Sequence, residues 1–226
     1  MTAYVLVHAP MVGPTTWRLV ADELLGLGHL AIVPSLAGRA WQGAPIWKHH
    51  VDAVVEAIGS LRGAVVVGHS GAGPLLPLIA ERADVAGAIF VDAFTKQTGP
   101  FPASFARRPG RAGRGVIPSW ADDETLQPLI PDDDLRQRCL DEIEGLPEEY
   151  FSEIVPSPRG TQLRSAYVLF SEVYRRTADE MRSRGLAVRE LPGGHFHMLV
   201  QPRAVSDALI AITAELAGPR PMAVGR

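Results

Sequence analysis

The segment Ala64-Val65-Val66-Val67-Gly68-His69-Ser70-Gly71-Ala72-Gly73-Pro74 constrains this chain more than any other. A β-branched run of strand length ends in Gly-His-Ser-Gly-Ala-Gly, and the apolar pattern of a helix follows. Small residues on both sides of a serine imply a strand-to-helix turn too tight for side chains. Such a turn lifts the Ser70 hydroxyl out at the end of a strand. A serine hydroxyl is a poor nucleophile unless a base takes its proton, so the rest of the chain has to supply partners.

Strand-length apolar runs recur at Tyr4 to Val7, Leu30 to Val33, Ala64 to Val67, Gly87 to Val91, Ala166 to Phe170 and Leu186 to Leu191. Most are continuous rather than alternating, which suits parallel strands buried on both faces. Helical spacing fills the gaps: Thr15 to Leu27, Trp47 to Leu61, Leu75 to Ala83, Tyr174 to Arg184 and Pro202 to Leu216. Alternating strand and helix signals predict an α/β fold with a mostly parallel, doubly wound sheet of about six strands.

The alternation breaks between Phe94 and Gly160, a stretch with many prolines and no good strand. Residues 1–94 and 161–226 are therefore read as the core and 95–160 as a helical cap inserted into it. Within the cap, Asp132 to Glu144 reads as a helix opened by an acidic turn after Pro131. Arg107, Arg108, Arg111 and Arg114 suggest either a basic loop without a ligand or a grip on an acidic substrate or a phosphopantetheine arm; the loop is the simpler reading. The tail from Gly218 to Arg226 is expected to fray.

Composition excludes several classes. With 226 residues, 46% hydrophobic, 21% charged and a net charge of −3, the chain is an ordinary globular one. Nothing supports nucleic acid as a partner. Cys139 is the single cysteine, read as a small buried hydrophobe, so no disulfide framework or cysteine metal site is expected. No apolar run reaches membrane-spanning length and no leader pattern is visible, so a cytoplasmic protein without a membrane partner is expected. A homodimer is compatible with the sequence but not indicated by it.

The base is expected late in the chain. Pro192-Gly193-Gly194-His195-Phe196-His197 follows the last strand, and a histidine on a glycine-rich loop there can reach the carboxyl edge of the sheet. His195, next to the glycines, is preferred; His197 reads as the opening of a helix. A metal site is not expected, since no third ligand accompanies these two.

With the serine turn, the histidine loop and Val7-His8-Ala9-Pro10-Met11-Val12-Gly13-Pro14-Thr15-Thr16-Trp17, the chain resembles an α/β-hydrolase. The likeness is to the small-cap group of plant esterases, hydroxynitrile-lyase-like proteins and their bacterial relatives. It covers nearly all of the chain except the cap, and it implies the α/β-hydrolase fold and the chain order nucleophile, acid, histidine. It also implies an oxyanion hole built from the N–H after the nucleophile, here Gly71, and from one in the early turn. That early position aligns with Pro10, which has no N–H; Met11 is the alternative donor. The family's acid follows the strand before the histidine loop, where this chain has Ser171-Glu172-Val173-Tyr174. Glu172 is nearest the expected place and is slightly preferred. Asp92, after Ile89-Phe90-Val91, is the alternative.

His8 is expected under the site, in a structural role or lining the pocket. The His69 side chain is expected to point away, and His49 and His50 are expected to be exposed. Pro10, Phe94, Trp120 and Tyr150 are candidate pocket residues, suited to a hydrophobic small-molecule substrate. The leading expectation is a cofactor-free serine hydrolase of the esterase or thioesterase kind. The alternatives are a lyase, isomerase or cyclase in natural-product tailoring, with proton transfer by His195 and an acid, and a non-catalytic ligand-binding protein on the same scaffold.

Overall fold

A computed structural model describes residues 1–97, 99–101, 105–110, 113–158 and 163–217. The expected fraying of Gly218 to Arg226 and the position of Arg111 lie outside these residues.

Six strands form one parallel sheet: β1 (Ala3–Val7), β2 (Leu30–Ile32), β3 (Ala64–His69), β4 (Val85–Val91), β7 (Ser165–Leu169) and β8 (Ala187–Glu190). Their order is β2-β1-β3-β4-β7-β8. The chain runs outward from β1 to β2, then returns to lay β3, β4, β7 and β8 on the other side of β1. That reversal opens a crevice at the carboxyl ends of β1 and β3, the usual ligand position in such sheets.

The continuous apolar runs are explained by burial on both faces. Tyr4, Leu6, Val65, Val67, Ile89, Val91 and Val168 face one core, packed by α1 (Thr15–Gly26) and α9 (Pro202–Ala217) through Trp17, Val20, Leu24, Val205, Leu209 and Ile212. Val5, Val7, Val66, Ala88, Phe90, Tyr167 and Leu169 face the other. There α2 (Ile46–Ile58), α3 (Leu76–Ala80) and α7 (Arg175–Ser183) contribute Val51, Val54, Ile58, Leu76, Ile79, Ala178 and Met181. Successive residues point to opposite faces, so a strand covered on both sides carries no polar position.

The segment between β4 and β7 is not all helix. A short antiparallel hairpin, β5 (Arg107–Pro109) with β6 (Val116–Pro118), precedes α4 (Asp123–Leu126), α5 (Asp133–Glu142) and α6 (Glu149–Ser152). The hairpin escapes sequence reading because Arg107-Arg108-Pro109 is polar and carries a proline, a pattern tolerated only at an edge. Asp132 caps α5, its Oδ1 accepting from Leu135 N at 2.9 Å. Cys139 on α5 is buried, and burial pushes its thiol up to about 12.

This inserted segment also caps core helices. Neither α1 nor α2 has a side-chain cap of its own. Glu142 accepts from Thr15 N and Thr15 Oγ1, both at 2.8 Å. Glu153 accepts from Ile46 N at 2.6 Å and Trp47 N at 3.0 Å. Glu144 takes Gly38 N at 2.6 Å. Two of these carboxylates therefore meet the unsatisfied N–H groups and positive dipole end of a helix.

One expectation about a surface group is corrected. His50 is buried, only 1% exposed, because the inward stripe of α2 includes it beside Val51 and Val54. Three described arginines of the basic stretch have partners within the chain. Arg107 sits over the Phe151 ring, Arg108 donates to Ala121 O, and Arg114 lies over the core residue Trp41.

Candidate active site

Ser70 leaves β3 at φ 54°, in the left-handed region that side chains rarely adopt. The turn opens a 3-10 segment, Ser70–Leu75, that runs into α3. Crowding explains the glycines around it. A Cβ on Gly68 would meet the Leu76 side chain at 2.8 Å, and one on Gly73 would lie 1.8 Å from Phe94 O. The residue that must be bare is therefore Gly73, which accounts for Ala72 where a G-x-S-x-G pattern has its last glycine.

Asp92 follows β4, also at positive φ (44°), and is fully buried. Four donors converge on it. Phe170 N (3.0 Å) and Ser171 N (2.9 Å) reach Oδ1. Ser171 Oγ (2.6 Å) and His195 Nδ1 (2.7 Å) reach Oδ2. With Nδ1–H donated to the carboxylate, the other ring nitrogen, Nε2, is left as the basic one.

Glu172, the preferred acid, does not contact His195. It heads a 3-10 turn, Glu172–Tyr174, and its exposed carboxylate pairs with Arg175 Nη2 at 2.7 Å. The N–H groups of the segment after β7 turn inward to Asp92, and the Glu172 side chain is left outside with its arginine.

Two residues not expected in the site belong to it. The Tyr174 hydroxyl is 3.2 Å from Ser70 Oγ, and its ring stacks on His195, with centroids 5.3 Å apart and planes 13° from parallel. Burial pushes this phenol up to about 12, so it stays protonated. Among the described residues Tyr174 is the hydrogen-bond partner of Ser70 Oγ, and no hydrogen bond joins Ser70 to the His195 ring. Catalytic hydrogen bonds are often loose before substrate arrives. His69, expected to point away, lies under His195. Its Nε2–H donates to His195 O at 2.9 Å, and the two rings are 4.4 Å apart. Burial holds the His69 imidazole well below its usual range, so it is neutral. The sequence signal for both was thin: an aromatic four residues beyond Phe170, and a histidine beside the serine.

The early turn is closed by Val12 N donating to Ala9 O at 3.1 Å. The Pro10 ring abuts the elbow, its Cδ 3.8 Å from where a Gly71 Cβ would be. Met11 N–H has no acceptor among the described residues, and Gly71 stands at the head of the 3-10 turn, where N–H groups lack intrahelical acceptors. Phe94 N donates to Ser70 O at 3.3 Å, and its half-exposed ring meets Tyr174 edge-on at 5.2 Å.

Three other expected pocket residues are placed elsewhere. His8 is buried and both ring nitrogens are engaged, Nδ1–H with Ala9 O (2.9 Å) and Nε2 with Leu36 N–H (3.2 Å). Trp120 packs against the Ile117–Ala121–Ile143 cluster of the inserted segment and against the main core. Tyr150 packs with Phe101 and Phe151 and edges onto His50. Large aromatic rings drawn to the nearest apolar surface are consumed by packing. His197 opens α8 (His197–Val200), as its place in the sequence suggested. Among the described residues no group of three or more His, Cys, Asp or Glu side chains gathers as a metal site, and no helix is long and apolar enough to cross a membrane.

The Alpha/beta hydrolase family profile matches residues 4–208. The chain belongs to the α/β-hydrolase family. Solved structures similar to this α/β-hydrolase include a pyrethroid hydrolase from Sphingobium faniae, 18% identical, with a TM-score of 0.69 and coverage of 94% of this chain and 97% of that one. Polyneuridine aldehyde esterase is 18% identical, with a TM-score of 0.69 and coverage of 94% and 99%. Tomato methylketone synthase I, with β-ketoheptanoate bound, is 16% identical, with a TM-score of 0.70 and coverage of 95% and 98%. No curated protein matches the sequence. At such identities the likeness to solved structures carries the α/β-hydrolase fold alone.

Proposed function

We propose that this α/β-hydrolase is a serine hydrolase cleaving an ester, thioester or related acyl bond of a hydrophobic small molecule. The observation that carries the reading is the Asp92–His195 contact of 2.7 Å, beside a serine held on a left-handed turn. Ser70 Oγ attacks the acyl carbon as its proton passes to His195 Nε2. The tetrahedral oxyanion is met by Gly71 N–H and Met11 N–H. His195 returns the proton to the leaving oxygen or sulfur. Water, activated by the same imidazole, then frees the acid and regenerates Ser70. Asp92 holds the imidazole in the required tautomer and offsets its charge during each transfer. This chemistry needs no cofactor. Phe94 and the side chain of Met11, which packs on the Tyr150–Phe151 cluster, suit an apolar substrate. The similar pyrethroid hydrolase and polyneuridine aldehyde esterase support the class.

The test is labelling of the purified chain by a fluorophosphonate probe, together with turnover of short p-nitrophenyl acyl esters. Labelling and turnover that vanish in Ser70→Ala support the reading; neither in the wild type overturns it. One pair of observations favours a second reading, proton transfer without an acyl-enzyme. Pro10 removes an oxyanion donor, and the Ser70 hydroxyl is bonded to Tyr174 rather than to His195. Under that reading Ser70→Ala retains substantial turnover of the true substrate while His195→Ala does not.

A further inference from the structure

Tyr174 touches both reacting groups of the proposed triad in different ways. Its ring stacks face to face on His195, while its hydroxyl holds Ser70 Oγ at 3.2 Å. The phenol is buried in an apolar cluster with Ala93, Leu169 and Ala178, its ring flanked by His195 on one side and Phe94 at 5.2 Å, and among the described residues no side-chain hydrogen-bond partner other than Ser70 meets its hydroxyl. Ser70 Oγ is thus its hydrogen-bond partner, and it is the partner of Ser70 Oγ. With the phenol as donor, rotation of Ser70 Oγ toward His195 for attack takes the oxygen out of this bond and leaves a buried O–H without an acceptor.

We propose that Tyr174 is a positioning residue that parks Ser70 away from His195 until a substrate oxygen arrives to accept the phenolic proton. The inference rests on the serine hydrolase reading and adds regulation of the same site. It assigns a substrate class as well: acyl compounds with an acceptor oxygen on the His195 side of the reacting carbon, as the alkoxy oxygen of an ester provides. With a compound lacking that acceptor, Ser70 must leave the restraint unaided. The stacked ring is a separate contribution, holding the imidazole plane whether or not the hydroxyl is present.

Tyr174→Phe separates the two. It keeps the stack and deletes the hydroxyl, so the restraint is lost while the His195 surroundings are retained. A neutral hydrogen bond nets ~0.5–1.5 kcal/mol, so Ser70 in Tyr174→Phe should react with a small alkyl fluorophosphonate about two- to tenfold faster than wild type. The pH midpoint of labelling should stay at the wild-type value, because the imidazole and Asp92 are untouched. A residue that serves only the architecture of the site would slow labelling when altered, not speed it. Tyr174→Leu, lacking the ring too, should label more slowly than Tyr174→Phe.

Equal or slower labelling of Tyr174→Phe, with Ser70 reactive in both proteins, overturns the restraint and leaves the hydrolase reading standing. Labelling in Tyr174→Phe but not in a wild type that still turns over p-nitrophenyl esters supports the restraint in its strongest form. Labelling in neither overturns the restraint together with the nucleophile on which it rests.

Discussion

Asp92 Oδ2 lies 2.7 Å from His195 Nδ1, and the carboxylate that makes this contact comes from the end of β4, not from the segment after β7. The two strands are paired from Ala88↔Ser165 to Val91↔Val168, and Asp92 N donates to Val168 O at 2.8 Å. Asp92 is therefore seated in the middle of the sheet, and the segment after β7 supplies donors to it.

This arrangement separates the two carboxylates by experiment. Asp92→Asn presents an amide where Nδ1–H needs an acceptor and inverts the useful tautomer. Acyl-ester turnover should fall by about 10³–10⁴-fold. Glu172→Gln, which loses only the exposed pairing with Arg175, should stay within about twofold of wild type, since exposed pairs contribute little. Steady-state kcat on a p-nitrophenyl ester reads both.

Pro10 leaves the early turn one N–H short. Pro10→Ala restores it next to Gly71, and a restored oxyanion donor is worth on the order of 10²–10³ in rate when no other group fills its place. With Met11 N–H in partial substitution, a gain of about tenfold in kcat is expected. An unchanged kcat would mean that Met11 already serves fully.

Buried histidines make the fold acid-sensitive. Burial lowers His8, His50 and His69 from the usual imidazole value, His50 from 6.5 to about 4. Unfolded, these rings take up protons near 6.5; folded, they stay neutral to lower pH. The unfolded chain then binds more protons, so stability that is complete above pH 6.5 is lost as pH falls toward 4. The His50 shift alone is worth on the order of 3 kcal/mol. Urea midpoints at pH 7 and pH 5 should differ accordingly, and His50→Gln should flatten the slope.

Carboxylates of the inserted segment hold the core helices by their N-termini. Glu153→Ala strips the cap from Ile46 N and Trp47 N and should cost ~1–2 kcal/mol, a fall of about 2–8 °C in melting temperature. Glu153→Gln keeps an acceptor and should lose less. Scanning calorimetry of the two variants checks the order.

Much of this was legible in the residues. The interior strands announced themselves because apolar runs buried on two faces have few polar interruptions, and the Ser70 turn because only small residues fit against Leu76 and Phe94 O. The glycines before His195 marked the loop that brings it inward. The choice between Asp92 and Glu172 was not legible: both stand at strand ends, and what decides is where Phe170 N and Ser171 N point. Tyr174 was hidden for a related reason, since a 3-10 turn swings its ring back over His195. His50 was misjudged because α2 buries a wider stripe than its aliphatic positions show. Trp120 and Tyr150 were misplaced because nothing in a sequence tells an aromatic that lines a pocket from one that fills a core.

The strand order has a practical consequence for behaviour under heat. His195 follows β8, which among the described residues has β7 on one side and no strand on the other, while Ser70 and Asp92 follow interior strands. The imidazole is moored to the interior by Asp92 at one end of the residue and by His69 at its carbonyl. Margins of a sheet open at lower temperatures than its middle. Warming should thus silence the enzyme while its spectrum still reads as native, and cooling should bring the activity back, because only the mooring has slipped.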